Sequence, residues 1–372
     1  MKIVIAVNAF KNSISSKEAN EIIYQTLKAK YPSYQYELIN ISDGGEGFVD
    51  ALATEIVEAE IIGPEGMEIA SYFGMRDKKT ALIQSSLANG IELVTASKTN
   101  ANVMTSYGVG ELILAALKEN VDKIIIGLGG SATNDLGLGA LTPLGVEFYD
   151  ENDNKIGILG EDIFNVSRIV NNIDKRLLTK EIIIATDVNN VLLGSDGASI
   201  VYGKQKGLNE EELKRYDKQF KKVSSLINKI VLKDETKTAG SGAAGGLGYA
   251  LMSFLKVNVK SGFSLLAEEL NLKERLKDAD LLITGEGKID EQTLSGKAPY
   301  SIAKMTKSIS PEAKVIAYTG IKGEIKKNNI FDEIIVINEN NKNIKENIKA
   351  GKTNLLKTVK NLKLANLFKT KG

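Results

Sequence analysis

Met1-Lys2-Ile3-Val4-Ile5-Ala6-Val7, a short polar loop, and then Ser15-Ser16-Lys17-Glu18 decide the fold class of this chain. Five apolar residues in a row, mostly β-branched, read as a strand buried on both faces. Ser-x-x-Glu is a capping box, in which the serine and the glutamate each satisfy a backbone N–H of the first helical turn. It opens a helix carrying Ile22, Ile23 and Leu27, and Pro32 ends it. Residues 36–41 read as the next strand. Strand, capped helix and strand in succession predict a parallel sheet covered by helices.

The same alternation returns in the last third of the sequence. Residues 281–284 read as a strand, followed by a helix through Ile302, strands at 314–318 and 334–337, and a last helix from about Ile344. The middle differs. Residues 56–62, 68–74 and 80–85 read as consecutive strands between turn residues, and 146–156 as a hairpin around Glu151-Asn152-Asp153-Asn154. A helix over 110–117, strands at 123–126 and 181–185, and a long helix over 210–231 complete the pattern. The chain has 372 residues, which suits two domains at about 150 residues each. The expectation is one α/β domain built from both chain ends and a second inserted into it.

Net charge is +1, so no global field draws the chain to nucleic acid or an anionic membrane. There is no cysteine and no histidine. Disulfides, thiolate metal sites, serine–histidine hydrolysis and histidine-bound zinc are therefore excluded, and a general base must be Asp, Glu, Lys, Tyr or water. The lack of cysteine suits a reducing cytoplasm. The amino-terminal apolar run is too short for a signal peptide, and no run approaches the ~20 residues of a membrane helix. The tail from Asn341 to Gly372 holds nine lysines and one acid, with Ile344, Ile348, Leu355, Val359 and Leu362 at helical spacing. It reads as a docked helix with a solvated basic face rather than an RNA contact.

Four segments set acidic residues beside glycines at the ends of apolar runs. They are Ile41-Ser42-Asp43-Gly44-Gly45-Glu46-Gly47, Gly127-Leu128-Gly129-Gly130-Ser131-Ala132-Thr133-Asn134-Asp135, Ala185-Thr186-Asp187-Val188-Asn189 and Thr284-Gly285-Glu286-Gly287-Lys288-Ile289-Asp290. Ligands bind at the carboxyl ends of strands in open α/β sheets. Glycines there let backbone N–H groups approach an anion, and carboxylates hold a divalent cation, so the combination points to a phosphorylated ligand with Mg²⁺.

Each segment also has a plainer reading. Ser131 would cap a helix whose first donors, at Gly129, Gly130 and Ser131, hold a phosphate or carboxylate, with Asn134 and Asp135 adding polarity; otherwise this is a tight strand–helix turn. The segment fits the Gly-x-Gly-x-x-Ala of dinucleotide sites, with Glu147 near the ribose-contact distance, but Asn134 and Asp135 would then face the pyrophosphate. Asp43, Gly44 and Gly45 serve a helix cap or a ligand. Asp187 is a site carboxylate or a solvated turn residue. Glu286 and Asp290, flanking Gly287, make a Mg²⁺ pair. Lys11 meets a phosphate as a point charge or stays solvated, and Lys204 and Lys206 offer two more cations between glycines. The run from Ala239 to Gly248, with Gly242 inside it, is an anion nest or a close-packed helix. No P-loop and no His-Arg-Asp segment is present.

Taken together and in order, these motifs resemble the type I glycerate kinase family of bacteria over nearly the whole chain. The resemblance rests on Asn8-Ala9-Phe10-Lys11-Asn12-Ser13, Ser42 to Gly47, Thr105 to Ile113, Gly129 to Asp135, Tyr202 to Gly207, Gly242 to Gly248 and Thr284 to Pro299. It implies ATP-dependent phosphorylation of D-glycerate. It also implies two α/β domains, one flavodoxin-like at 1–57 and 275–372 and the other inserted at 58–274, with the active site in the cleft between them. On that reading Lys11 and Lys206 neutralise phosphate oxygens, and Gly129 to Ser131 hold a phosphate or the glycerate carboxylate. Asp187, Glu286 and Asp290 organise Mg²⁺, and Asp43 or Asp187 orients or deprotonates the hydroxyl. Asn8, Ala9 and Lys204 stand where the family has Asp, Ser and Pro. These departures leave two alternatives, a kinase for another small hydroxy acid and an impaired paralogue that binds ligand as a sensor.

Overall fold

Ile3, Val4, Ile5, Ala6 and Val7 are all fully buried, and they lie in an interior strand of a five-stranded sheet. The structure, a computed structural model, describes residues 1–42, 45, 47–95, 98–294, 296–325, 330–338 and 343–368. The chain divides into two units, Met1–Asp43 with Phe263–Gly372, and Gly44–Gly262. Strands are numbered along the chain.

The first unit holds β1 (Lys2–Val7), β2 (Gln35–Leu38), β11 (Leu281–Ile289), β12 (Lys314–Lys322) and β13 (Glu333–Val336). Their order is β2-β1-β11-β12-β13, and every pairing is parallel. Counted within the unit this is 2-1-3-4-5, the flavodoxin-like order, whose switch point lies between the first and third strands. Here that point separates β1 from β11. The capping box at Ser15 and Glu18 forms as expected and starts the helix Ser16–Lys30. Its Ile23 and Leu27 join Leu355 and Val359 of the helix Gly351–Asn361 over one face of the sheet.

The second unit holds a six-stranded mixed sheet in the order β10-β9-β6-β5-β4-β3. These strands are β3 (Glu55–Ile62), β4 (Glu68–Asp77), β5 (Thr80–Gln84), β6 (Lys123–Gly127), β9 (Glu181–Ala185) and β10 (Val257–Lys260). The β3–β4 and β4–β5 pairings are antiparallel, and β5, β6, β9 and β10 run parallel. The helix Glu210–Val231 buries Leu213, Tyr216, Phe220, Val223 and Ile227 at helical spacing.

The structure differs from the sequence reading in four places. First, the division falls at 43/44 and 262/263, not at 57/58 and 274/275. The short helix Phe48–Leu52 is tied to β5, where Gln84 Oε1 accepts the Phe48 N–H at 3.0 Å, and all eight residues of β3 pair with β4. At the other crossing, Arg275 Nε donates to Glu37 at 2.6 Å, inside the first unit. Second, the expected turn forms, with Tyr149 bridging Lys155 and the Ile156 N–H donating to Phe148 O at 3.0 Å, but the ladder of β7 (Val146–Tyr149) is made with β8 (Arg168–Asn171). Third, β11 runs on to Ile289, so Glu286 lies within the strand. Fourth, no helix starts at Ser131. The next one is the single turn Leu138–Leu141, capped by Gly137.

Candidate active site

In the second unit, the carboxyl ends of β5, β6, β9 and β10 carry Ser85, Gly129 to Ser131, Asp187 and Gly262. Gly130 takes φ +64°, open to glycine and strained for other residues. The loop is held from the side by Ile91 N–H to Gly130 O at 2.8 Å and Ala132 N–H to Asn89 O at 2.7 Å. Among the described residues the N–H groups of Gly130 and Ser131 meet no protein acceptor. Adjacent unspent amides of this kind form an anion-binding concavity without any helix dipole. Gly45 adjoins the loop: a Cβ on Gly129 would lie 3.3 Å from its Cα. Asp43 and Gly44 lie outside the described residues.

Asp187, two residues past β9, accepts the Gly262 N–H at 3.0 Å, which ties the loops after β9 and β10 together. Asp135 is 1 % exposed. It accepts from the Ser106 N–H at 2.9 Å, the Ser106 hydroxyl at 2.6 Å, and the N–H groups of Gly137 and Gly139 at 3.0 and 3.3 Å. Its oxygens are thus turned inward to the chain. Asn134 is likewise buried and donates to Ser199 Oγ at 3.0 Å.

Lys206 is 2 % exposed and donates to Ser131 Oγ at 2.9 Å and Thr133 O at 2.6 Å. Burial pulls its ammonium down to about 7, against the opposing pull of Asp135. Gly242 gives its N–H to Asn190 O at 2.9 Å, and a Cβ there would meet Val191 O at 2.3 Å. It therefore serves close packing, the second of the two sequence readings.

In the first unit, the ends of β1 and β11 meet at the switch point. Asn8 N–H donates to Gly285 O at 2.9 Å, and Asn8 Oδ1 accepts the Ala9 N–H at 2.8 Å. Gly287 lies against the next turn, where a Cβ would sit 3.4 Å from the Lys11 nitrogen. Lys11 itself is exposed. Glu286 is 6 % exposed, accepts from Thr293 Oγ1 at 2.6 Å and lies 3.6 Å from Lys297 Nζ. Asp290 pairs with Lys288 at 2.7 Å and accepts the Gln292 N–H at 3.0 Å; the lysine holds its carboxyl below the usual range. Thr293 and Lys297 lie within the Thr284 to Pro299 motif, and residue type alone gives them no role. The signal is their place in the same motif as Glu286. Among the described residues no three acidic side chains cluster as a metal site.

The glycine-rich strand ends quoted above thus recur at the carboxyl edge of each sheet, as ligand sites in α/β proteins do. A sequence model of the glycerate kinase family matches residues 3–367.

The chain belongs to the glycerate kinase family.

It is 37% identical to a glycerate kinase of Haemophilus influenzae over 378 residues, covering 99% of this chain and all of that one. It is 41% identical to a glycerate 2-kinase of Escherichia coli over 313 residues, covering 82% of each. A solved structure from Salmonella typhimurium LT2, described as a candidate glycerate kinase 2, superposes with TM-score 0.84 at 35% identity, covering 99% of this chain and 98% of that one. As a family member the protein is an enzyme of the kinase class. Among the described residues no helix is long and apolar enough to cross a membrane.

Proposed function

We propose that this enzyme transfers a phosphoryl group from ATP to D-glycerate in the cytoplasm. Membership of the glycerate kinase family across residues 3–367 carries this reading. Phosphoryl transfer is mainly positioning and charge stabilisation, and it needs no histidine or cysteine. The amides of Gly130 and Ser131 hold an anionic group, a phosphate or the glycerate carboxylate. Lys11, exposed at the end of β1, meets phosphate oxygens as a point charge. Asp187 or Asp43 orients the acceptor hydroxyl and takes its proton.

Magnesium in kinase sites keeps several waters and is held by one or two carboxylates together with substrate phosphates. Each unit offers a carboxylate of that kind, Asp187 just past β9 in the second and Glu286 in β11 in the first. Asp290, already paired with Lys288, supports from outside that set. The ion would neutralise charge on the phosphates during transfer. The purified protein is expected to convert ATP and D-glycerate to ADP and a phosphoglycerate only when Mg²⁺ or Mn²⁺ is supplied. Full turnover in excess EDTA would remove the metal from the reading. Absence of turnover with every hydroxy acid tried would favour a ligand sensor.

Asn8→Asp tests the departure at the switch point. The carboxylate keeps the acceptor that Asn8 offers to the Ala9 N–H and adds charge at the end of β1. It is expected to raise kcat/KM for D-glycerate about tenfold, a gain of ~1.4 kcal/mol in transition-state stabilisation. Steady-state kinetics with a panel of hydroxy acids checks this. An unchanged kcat/KM across the panel would place residue 8 outside the chemistry.

A further inference from the structure

Among the described residues only three charged side chains are buried: Asp135, Lys206 and Glu286. Two of them flank the same loop. Sinking an ammonium into the fold costs desolvation and the rotamer freedom of a long side chain, so its donors must be well used. Lys206 spends two of them on Ser131 Oγ and Thr133 O, two residues apart in the 129–133 loop. The backbone of Gly245 packs closely against the Thr133 carbonyl from another side. Gly245 has φ +70°, and a Cβ on it would lie 2.1 Å from the Thr133 oxygen. Beyond Thr133 the chain is pinned again by Asp135 through Ser106, Gly137 and Gly139. The loop's shape is therefore set from beneath, and at 2 % exposure Lys206 has almost no surface to offer a ligand.

We propose that Lys206 is a positioning residue, which holds the 129–133 loop so that the Gly130 and Ser131 amides face the bound anion, and that it does not itself touch phosphate. This rests on the reading of that loop as the anion site. The Asp135 carboxylate favours the ammonium and partly offsets the burial that pulls it down.

The test is a cycle of Lys206→Met, Gly130→Ala and the double variant, with kcat and the KM values for D-glycerate and ATP measured per folded molecule. Gly130→Ala distorts the loop without touching Lys206, because alanine is strained at φ +64°. Each single variant is expected to lower kcat/KM, Lys206→Met by about 10²-fold, with a raised KM for the substrate the loop holds. The double variant is expected to be hardly worse than the weaker single one, because both act through one loop. If Lys206→Met does not fold, Lys206→Gln, which keeps a donor, takes its place in the cycle. Additive losses, or a Lys206 variant with wild-type kcat/KM beside an impaired Gly130→Ala, overturn the positioning role and leave the loop reading standing. Wild-type kinetics in Gly130→Ala overturn the loop reading, and this inference with it.

Discussion

Asp135→Ala is expected to destabilise the second unit by about 3 kcal/mol or more, because it strips the acceptor from several buried donors at once. The Ser106, Gly137 and Gly139 N–H groups and the Ser106 hydroxyl all point at this carboxylate. Lys206 would also lose the charge that favours its ammonium. Its pKa would fall further, so this part of the cost is met by loss of a proton. Asp135→Asn keeps one acceptor oxygen but turns an NH₂ group toward N–H donors, so it is expected to recover only part of the loss. Urea unfolding followed by circular dichroism gives the difference. A shift within about 0.5 kcal/mol of wild type, the size of an ordinary surface change, would mean that these hydrogen bonds contribute nothing net.

Glu286→Gln is expected to lower kcat by about 10²-fold or more with the fold retained. Glutamine matches glutamate in volume, and its Oε1 still accepts from Thr293 Oγ1, as Glu286 does at 2.6 Å. What disappears is the charge 3.6 Å from Lys297, and with it any hold on a divalent cation. Losing one oriented charge where phosphoryl charge develops costs ~3 kcal/mol, by analogy with the loss of one oxyanion-hole donor. Activity per folded molecule and thermal midpoint should be measured together. A sharp fall in the midpoint with unchanged activity would make Glu286 a structural carboxylate.

Much of this was legible in the sequence because the signals are local. The capping box at Ser15, the buried runs of β1, β6 and β9, and the amphipathic helix Glu210–Val231 depend on neighbours within a few residues. The turn after β7 forms as read, but the main ladder partner of β7 is not legible, because a turn names only its nearest candidate. The actual partner, β8, lies past an intervening 3₁₀ segment at Gly160–Asn165. Likewise Gly127 to Asp135 reads as strand into helix, since a serine after glycines resembles an N-cap. In the fold that stretch is held instead by side chains and carbonyls from Asn89, Ser106 and Lys206.

By itself the sequence determined the α/β class, the segmentation into strands and helices, the exclusion of histidine and cysteine chemistry, and the motifs that mark the family. These follow from periodicity, composition and residue order, which need no third dimension. Only the tertiary structure decided which way the polar residues of those motifs point. Lys206 and Ser131 are 75 residues apart, and Ser106 and Asp135 are 29 apart. Whether a lysine between glycines is a solvated cation or a buried strut depends on what the rest of the chain places above it. Burial and hydrogen-bond partnership are properties of that assembled neighbourhood, and no local pattern encodes them.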